Sequence, residues 1–232
     1  MRFWLLLVGV LVASAARADE FSDFNAAVES FSAHNRAALR YLREDAVGPM
    51  SDEINEMRTA WAAVNGRFGR PPQQLAADIT LYTTTLVDIS MRLVGASMFI
   101  QMGSRGGVEN SLTAIRTDLS ALRKANSVST LADCVLEANQ AMIALLAAGD
   151  EASNDWGKAA GLNAEAERYG DTLARCKSMA EADDTRLRSL VNESRRLLAG
   201  IPKAIAAQDA AQLHRVLDSL HVNDDSLTFR YG

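Results

Sequence analysis

The sequence predicts an all-α protein, an antiparallel bundle of about eight helices, on three grounds. Apolar residues recur at alternating steps of three and four from Phe21 to Leu227, the spacing that lines one face of a helix. No run of useful length alternates apolar and polar residues as a half-buried strand would. The interruptions fall at proline, glycine and capping residues, where helices end. The chain of 232 residues is 48% hydrophobic and only 6% aromatic, and a chain of this length buries about 70% of its unfolded surface.

The first two helices rest on Phe21, Phe24, Val28 and Phe31, and on Ile54, Met57, Trp61, Val64 and Phe68. Ser51, followed by Asp52 and Glu53, reads as the N-cap of the second, with carboxylates placed to complement the helix dipole. Gly69 and Pro71-Pro72 end it, since proline has no N–H to continue the ladder. Leu75, Ile79, Tyr82, Leu86, Ile89, Leu93, Ala96 and Ile100 carry the third helix. Val87, Met91, Val94 and Met98 make a second apolar face on it, so this helix is expected to lie centrally with both faces covered. Gly103-Ser-Arg-Gly-Gly107 then breaks the chain.

The fourth to sixth helices follow Val108, Leu112, Ile115, Leu119 and Leu122, then Leu131, Val135, Ala138, Met142 and Leu145, then Leu162, Ala166, Tyr169, Leu173 and Cys176. Leu187, Leu190, Val191 and Leu198 carry the seventh, capped by Asp183 or Asp184 and interrupted at Gly200 and Pro202. Leu213, Leu217, Leu220 and Leu227 carry the last, with Asp209 as its cap. The sustained period of about 3.5 favours near-parallel helix packing at roughly +20°.

Arg2, the apolar run Trp4 to Ala13 and Ala16-Arg17-Ala18 have the layout of a signal peptide, 1–18, cleaved after Ala18. The run is short of the about 20 residues a membrane span needs, so no membrane insertion is expected after cleavage. A single helical-bundle domain, 19–232, remains, exported to the periplasm. In that oxidising space Cys134 and Cys176, the only cysteines, are expected to form one disulfide between the fifth and sixth helices. Gly149 and Gly161 stand equally far from the two cysteines, so antiparallel helices joined by 149–161 bring them level. A redox-active pair would ask for Cys-x-x-Cys or a cationic neighbourhood. The net charge of -5, with no Lys/Arg run, excludes a dedicated nucleic-acid binder.

Residues 38–69 slide onto 201–232 without a gap, matching Leu42 with Ile205, Met50 with Leu213, Ile54 with Leu217, Met57 with Leu220 and Val64 with Leu227. Two related helical units fused in one chain would give this echo, as would the columns any two heptad helices share. In the same register Asp224 takes the core slot that Trp61 holds. A carboxylate there is paired, hydrated at a frayed end, or lining a cavity, and its place within two turns of the C-terminus makes fraying the expectation.

Chemistry-bearing side chains are few. His214, Asp218, His221 and Asp225 line one face of the last helix as a candidate divalent-metal stripe, but about 100° from its core face, where a solvated flank is the plainer reading. Met91, Met98 and Met102 stand on adjacent turns; thioethers suit Cu(I), and methionine also fills core gaps, which is the expectation adopted here. Gly103 to Gly107 lacks the Gly-Lys-Ser/Thr ending of a phosphate loop, and Asn192-Glu193-Ser194 falls inside a helix. With no catalytic signature, no catalytic residue is assigned and an enzyme is not expected.

The exported, alanine-rich bundle whose last helix ends in Phe229-Arg230 resembles the periplasmic four-helix cytochromes, cytochrome c-prime and its soluble b-type relative. Laying the c-type Cys-x-x-Cys-His pattern on this sequence puts Val222 and Asp225 at the thioether positions and Ser226 at the axial histidine. Covalent haem c is therefore excluded. What the resemblance leaves is noncovalent haem b, with His221 or His214 as ligand and electron transfer or metal handling as the role. The leading expectation is a non-enzymatic binding or interaction module without haem, partnered by a periplasmic protein or a small ligand.

Overall fold

The computed structural model describes the backbone of residues 3–181 and 183–232, and side chains from Glu20 onward with Ala182 excepted. The predicted signal peptide, 1–18, lies outside the residues described with side chains. Among the described residues the protein is all-α, with nine α-helices, two short 3-10 turns and no strand. The helices are α1 (Phe3–Arg43), α2 (Val47–Arg67), α3 (Ile79–Gln101), α4 (Arg105–Ala125), α5 (Leu131–Asn154), α6 (Ala159–Met179), α7 (Thr185–Leu198), α8 (Ile201–Ala207) and α9 (Ala210–Tyr231). The ninth arises because the predicted seventh helix is cut: Gly200 and Pro202 restart it as α8, which closes on the left-handed Gln208.

The chain divides into two compact units, Met1–Val128 and Ser129–Gly232. The span 19–232, read from the sequence as one domain, contains both, and each has its own hydrophobic core. In unit 1, α1 packs on α2, α2 on α3, α3 on α4, and α4 returns to α1, a closed ring of four antiparallel helices. Its core holds Phe24, Phe31, Ile54, Met57, Trp61, Tyr82, Ile89, Leu112 and Ile115. Phe31 and Trp61 pack with tilted rings, centroids 4.8 Å apart, and Trp61 Nε1 donates to the Leu86 carbonyl at 3.1 Å.

Unit 2 makes a ring of the same order: α5 on α6, α6 on α7, α7 on α9, α9 on α5, with α8 bridging α6 and α9. Cys134 on α5 and Cys176 on α6 lie at disulfide distance, S–S 2.15 Å and Cα–Cα 5.4 Å. Such a bond is compatible with an oxidising, exported location. By length and composition α5 could cross a membrane, yet its Cys134, Val135, Ala138, Met142 and Leu145 are core residues of unit 2.

Helix boundaries follow local chemistry. Asp78, Asp184 and Asp209 accept from Leu81, Leu187 and Gln212 N–H, each satisfying an orphan donor at a helix start. Thr130 and Asp133 form a reciprocal capping box on α5. Ser51 does not cap α2. The left-handed Asp45 turns the chain a full turn earlier, and Pro49 falls in the first turn, where its missing N–H costs nothing. Leu75 lies in a 3-10 turn (Gln73–Leu75) and α3 starts at Ile79, where Asp78 can cap it.

Two glycines mark close approaches. A Cβ on Gly107 of α4 would lie 2.5 Å from the Phe99 ring of α3, and one on Gly149 of α5 would lie 2.2 Å from a Leu217 methyl of α9. Gly149 therefore sits inside α5 as a packing residue, and the helix runs past it to Asn154 instead of ending there.

Candidate functional site

The sequence reading put α3 centrally, with both faces covered. The structure corrects this. Tyr82, Thr85, Leu86, Ile89, Leu93 and Ala96 are buried against the neighbouring helices, while the opposite face is open. Val87, Met91, Val94, Met98 and Met102 are 57%, 67%, 51%, 55% and 71% exposed. In a ring of four, each helix turns one face inward and meets two neighbours, so a second apolar stripe on the far side finds no cover. The three methionines therefore do not fill core gaps.

Exposed apolar residues scattered singly are ordinary, whereas contiguous ones mark interaction surfaces. Nine large hydrophobic residues are exposed among those described, and six of them, Ile79 to Met102, belong to α3 and its C-cap. Along the α2 edge of this face runs a groove of about 630 Å³, lined by Asn65 of α2 and by Leu86, Val87, Ser90, Met91 and Val94 of α3. Asn65 Nδ2 donates to Ser90 Oγ at 3.2 Å, which in turn donates to the Leu86 carbonyl at 2.9 Å. Asn65 Oδ1 is shielded from solvent and accepts no hydrogen bond. The stripe itself is uncharged: α3 carries only Asp88 and Arg92, and Arg92 turns to Asp118 of α4.

Unit 2 holds a different arrangement. Asp224 is fully buried in the core slot the echo assigned to it, and the expected frayed, hydrated end is not what is found: α9 runs on to Tyr231 and the carboxylate is paired. Asn139 Nδ2 of α5 donates to Oδ2 at 2.8 Å, and the Tyr169 hydroxyl of α6 donates to Oδ1 at 3.1 Å. Burial pushes the carboxyl above the usual carboxylate range, against the pull of those two donors. Burial, with the Asp224 charge beside it, also raises the Tyr169 hydroxyl. Next to this cluster Asn223 Nδ2 donates to Ser194 Oγ at 2.6 Å and to the Leu190 carbonyl at 2.7 Å. Tyr169 was legible as a stripe residue. Asn139 was not, because an amide one position off the stripe of α5 carries no signal until α9 is seen beside it.

The candidate metal stripe stands outside that core. His214, Asp218 and His221 are exposed and Asp225 is half-buried. Among the described residues no three His, Cys, Asp or Glu side chains are arranged to hold a metal ion. Asp218 lines a groove of about 510 Å³ between α7 and α9, and this groove adjoins another of about 820 Å³ with which it shares Arg186, Leu190, Glu193, Arg196 and Asn223. Of the arginines lining it, Arg196 is held by Glu193, Nε to Oε2 2.9 Å. His34 pairs with Glu53 across α1 and α2, 2.7 Å apart.

Comparison with protein-family models, with curated proteins and with solved structures finds no match to this chain. The apolar face of α3 and the polar centre of unit 2 must be interpreted from their own chemistry.

Proposed function

We propose that this is an exported, non-enzymatic protein of the periplasm, released by cleavage after Ala18, that works as an interaction module and presents the outer face of α3 to a partner. The observation that carries the reading is the gathering of exposed Val87, Met91, Val94, Met98 and Met102 on one helix face. Leaving such a face in water costs roughly 25 cal/mol per Å², a cost recovered when a partner covers it. Methionine suits a binding surface because its unbranched, polarisable side chain adapts to the contour it meets. The disulfide is compatible with the location. Asp224 is too deeply enclosed to meet a substrate, which supports a structural role for the polar centre of unit 2.

The test uses the mature protein recovered from the exported fraction, expected to begin at Asp19. At protein concentrations low enough to leave the face uncovered, an environment-sensitive apolar dye should bind, and the Met91→Lys/Met98→Lys variant should lose most of that binding with unchanged helical circular dichroism. Dye binding that survives the substitutions would move the interaction surface away from α3. An absorption spectrum and elemental analysis on the same sample address the competing cofactor reading. A Soret band, or metal near one equivalent, would replace the interaction module with a haem or metal protein.

A further inference from the structure

The exposed face of α3 has an internal symmetry. Val87, Met91 and Val94 precede the midpoint between residues 94 and 95, and Gly95, Met98 and Met102 follow it at mirrored spacing. Reversing the helix about that midpoint lays Val87 on Met102, Met91 on Met98, and Val94 on Gly95. The same reversal sets Asp88 against Gln101 and Arg92 against Ser97, so no like charges meet. An isologous two-fold contact requires a patch of this kind, complementary to its own inverted copy.

Gly95 supplies a second observation. A glycine inside a helix costs roughly 0.5–1 kcal/mol relative to alanine. Packing within unit 1 does not require it, since a Cβ there would find its nearest neighbours, Ser111 Oγ and a Phe99 ring carbon, at 3.8 and 3.9 Å, ordinary contact distances. At the centre of a helix crossing a missing side chain lets two backbones approach closely. Five exposed side chains with their flanks offer on the order of 500 Å² per copy, about the 1,000 Å² total at which specific interfaces begin.

We propose that the partner covering α3 is a second copy of this chain, its α3 antiparallel to the first about a two-fold axis between Val94 and Gly95. The proposal rests on the reading of α3 as a docking face. The pairing buries Met91 against Met98 of the other copy on either side of the axis. With about 22 Å of helix between residues 87 and 102, the ends of the contact lie far from their own symmetry mates.

Both native cysteines are engaged with each other, so an introduced cysteine is the one free thiol among the described residues. The wild-type chain should sediment as a dimer whose dissociation is concentration-dependent, and Met91→Lys/Met98→Lys should sediment as a folded monomer. Under mild oxidation Val94→Cys should cross-link to itself in high yield, while Val87→Cys alone should not, and a mixture of Val87→Cys with Met102→Cys should. Efficient cross-linking of Val87→Cys to itself would overturn the antiparallel register. A wild-type monomer at all accessible concentrations, with Val94→Cys freely labelled by a maleimide, would overturn the second copy as partner and leave α3 as a docking face. A monomer in which Val94→Cys resists labelling would overturn both.

Discussion

Trp61 in α2 and Asp224 in α9 occupy the same place in the heptad register of their helices, and both are buried at the heart of a four-helix ring. Unit 1 fills the slot with the largest apolar side chain, whose one polar atom finds the Leu86 carbonyl. Unit 2 fills it with a carboxylate held by an amide and a phenol. The contrast extends to the buried charged residues, which among those described are Arg36, Arg116 and Arg123 in unit 1 and Asp133 and Asp224 in unit 2. It extends to the surface too, where unit 1 exposes an apolar stripe and unit 2 presents polar grooves. The helical period marks where a core must be, and leaves open whether apolar packing or a satisfied polar cluster fills it.

Breaking each slot should separate the units. Trp61→Ala removes a large buried side chain and is expected to cost about 4 kcal/mol. Hydrogen exchange should quicken through α2 and α3 and stay unchanged in α9; equal quickening in both units would mean they unfold as one. Replacing Cys134 and Cys176 by alanine releases a loop of sequence separation 42, worth about 4 kcal/mol in the chain-entropy model, and the lost protection should appear in α5 and α6.

Asp224→Ala strands two buried donors, for an expected loss of about 2 kcal/mol in urea unfolding followed through unit 2. Asp224→Asn keeps the shape and tests the charge. A carboxyl whose folded pKa is raised holds its proton more tightly in the native state, so its contribution is full below the ordinary carboxylate value of 3.8 and is lost as pH rises through the raised one. Wild-type unit 2 should therefore lose stability relative to Asp224→Asn as pH climbs through that window. Asp184 acts in the opposite direction, its carboxylate held low by the Leu187 N–H, but it is common to both proteins and cancels in the difference. The smallest effect is at Gly95, where alanine should raise the thermal stability of a monomeric α3-stripe variant by about 0.5–1 kcal/mol while weakening self-association of the otherwise wild-type chain.

Much of the fold was legible because its signals are local or periodic. Met50, Ile54, Met57, Trp61 and Val64 are buried in the register the sequence indicates, as are Leu213, Leu217, Leu220, Asp224 and Leu227. Asp184 and Asp209 cap as their positions imply, and Cys134 meets Cys176. The features missed depend on neighbours distant in sequence. Gly149 looked like a terminus because glycine often ends helices, and only Leu217 of α9 shows why it lies within one. Asn139 gains meaning from Asp224, 85 residues away. The second stripe of α3 was visible, but a ring of four leaves no helix to cover it. Periodicity reports that a surface is apolar and says nothing of what lies against it.

The bridge between α5 and α6 also bears on how the chain reaches its native state once its thiols are oxidised. Two cysteines admit a single intramolecular pairing, so no scrambled isomer exists to be unscrambled and no reshuffling catalyst is needed to find the right one. Both partners lie in unit 2, which leaves the four helices of unit 1 free to assemble without waiting for any thiol to be oxidised.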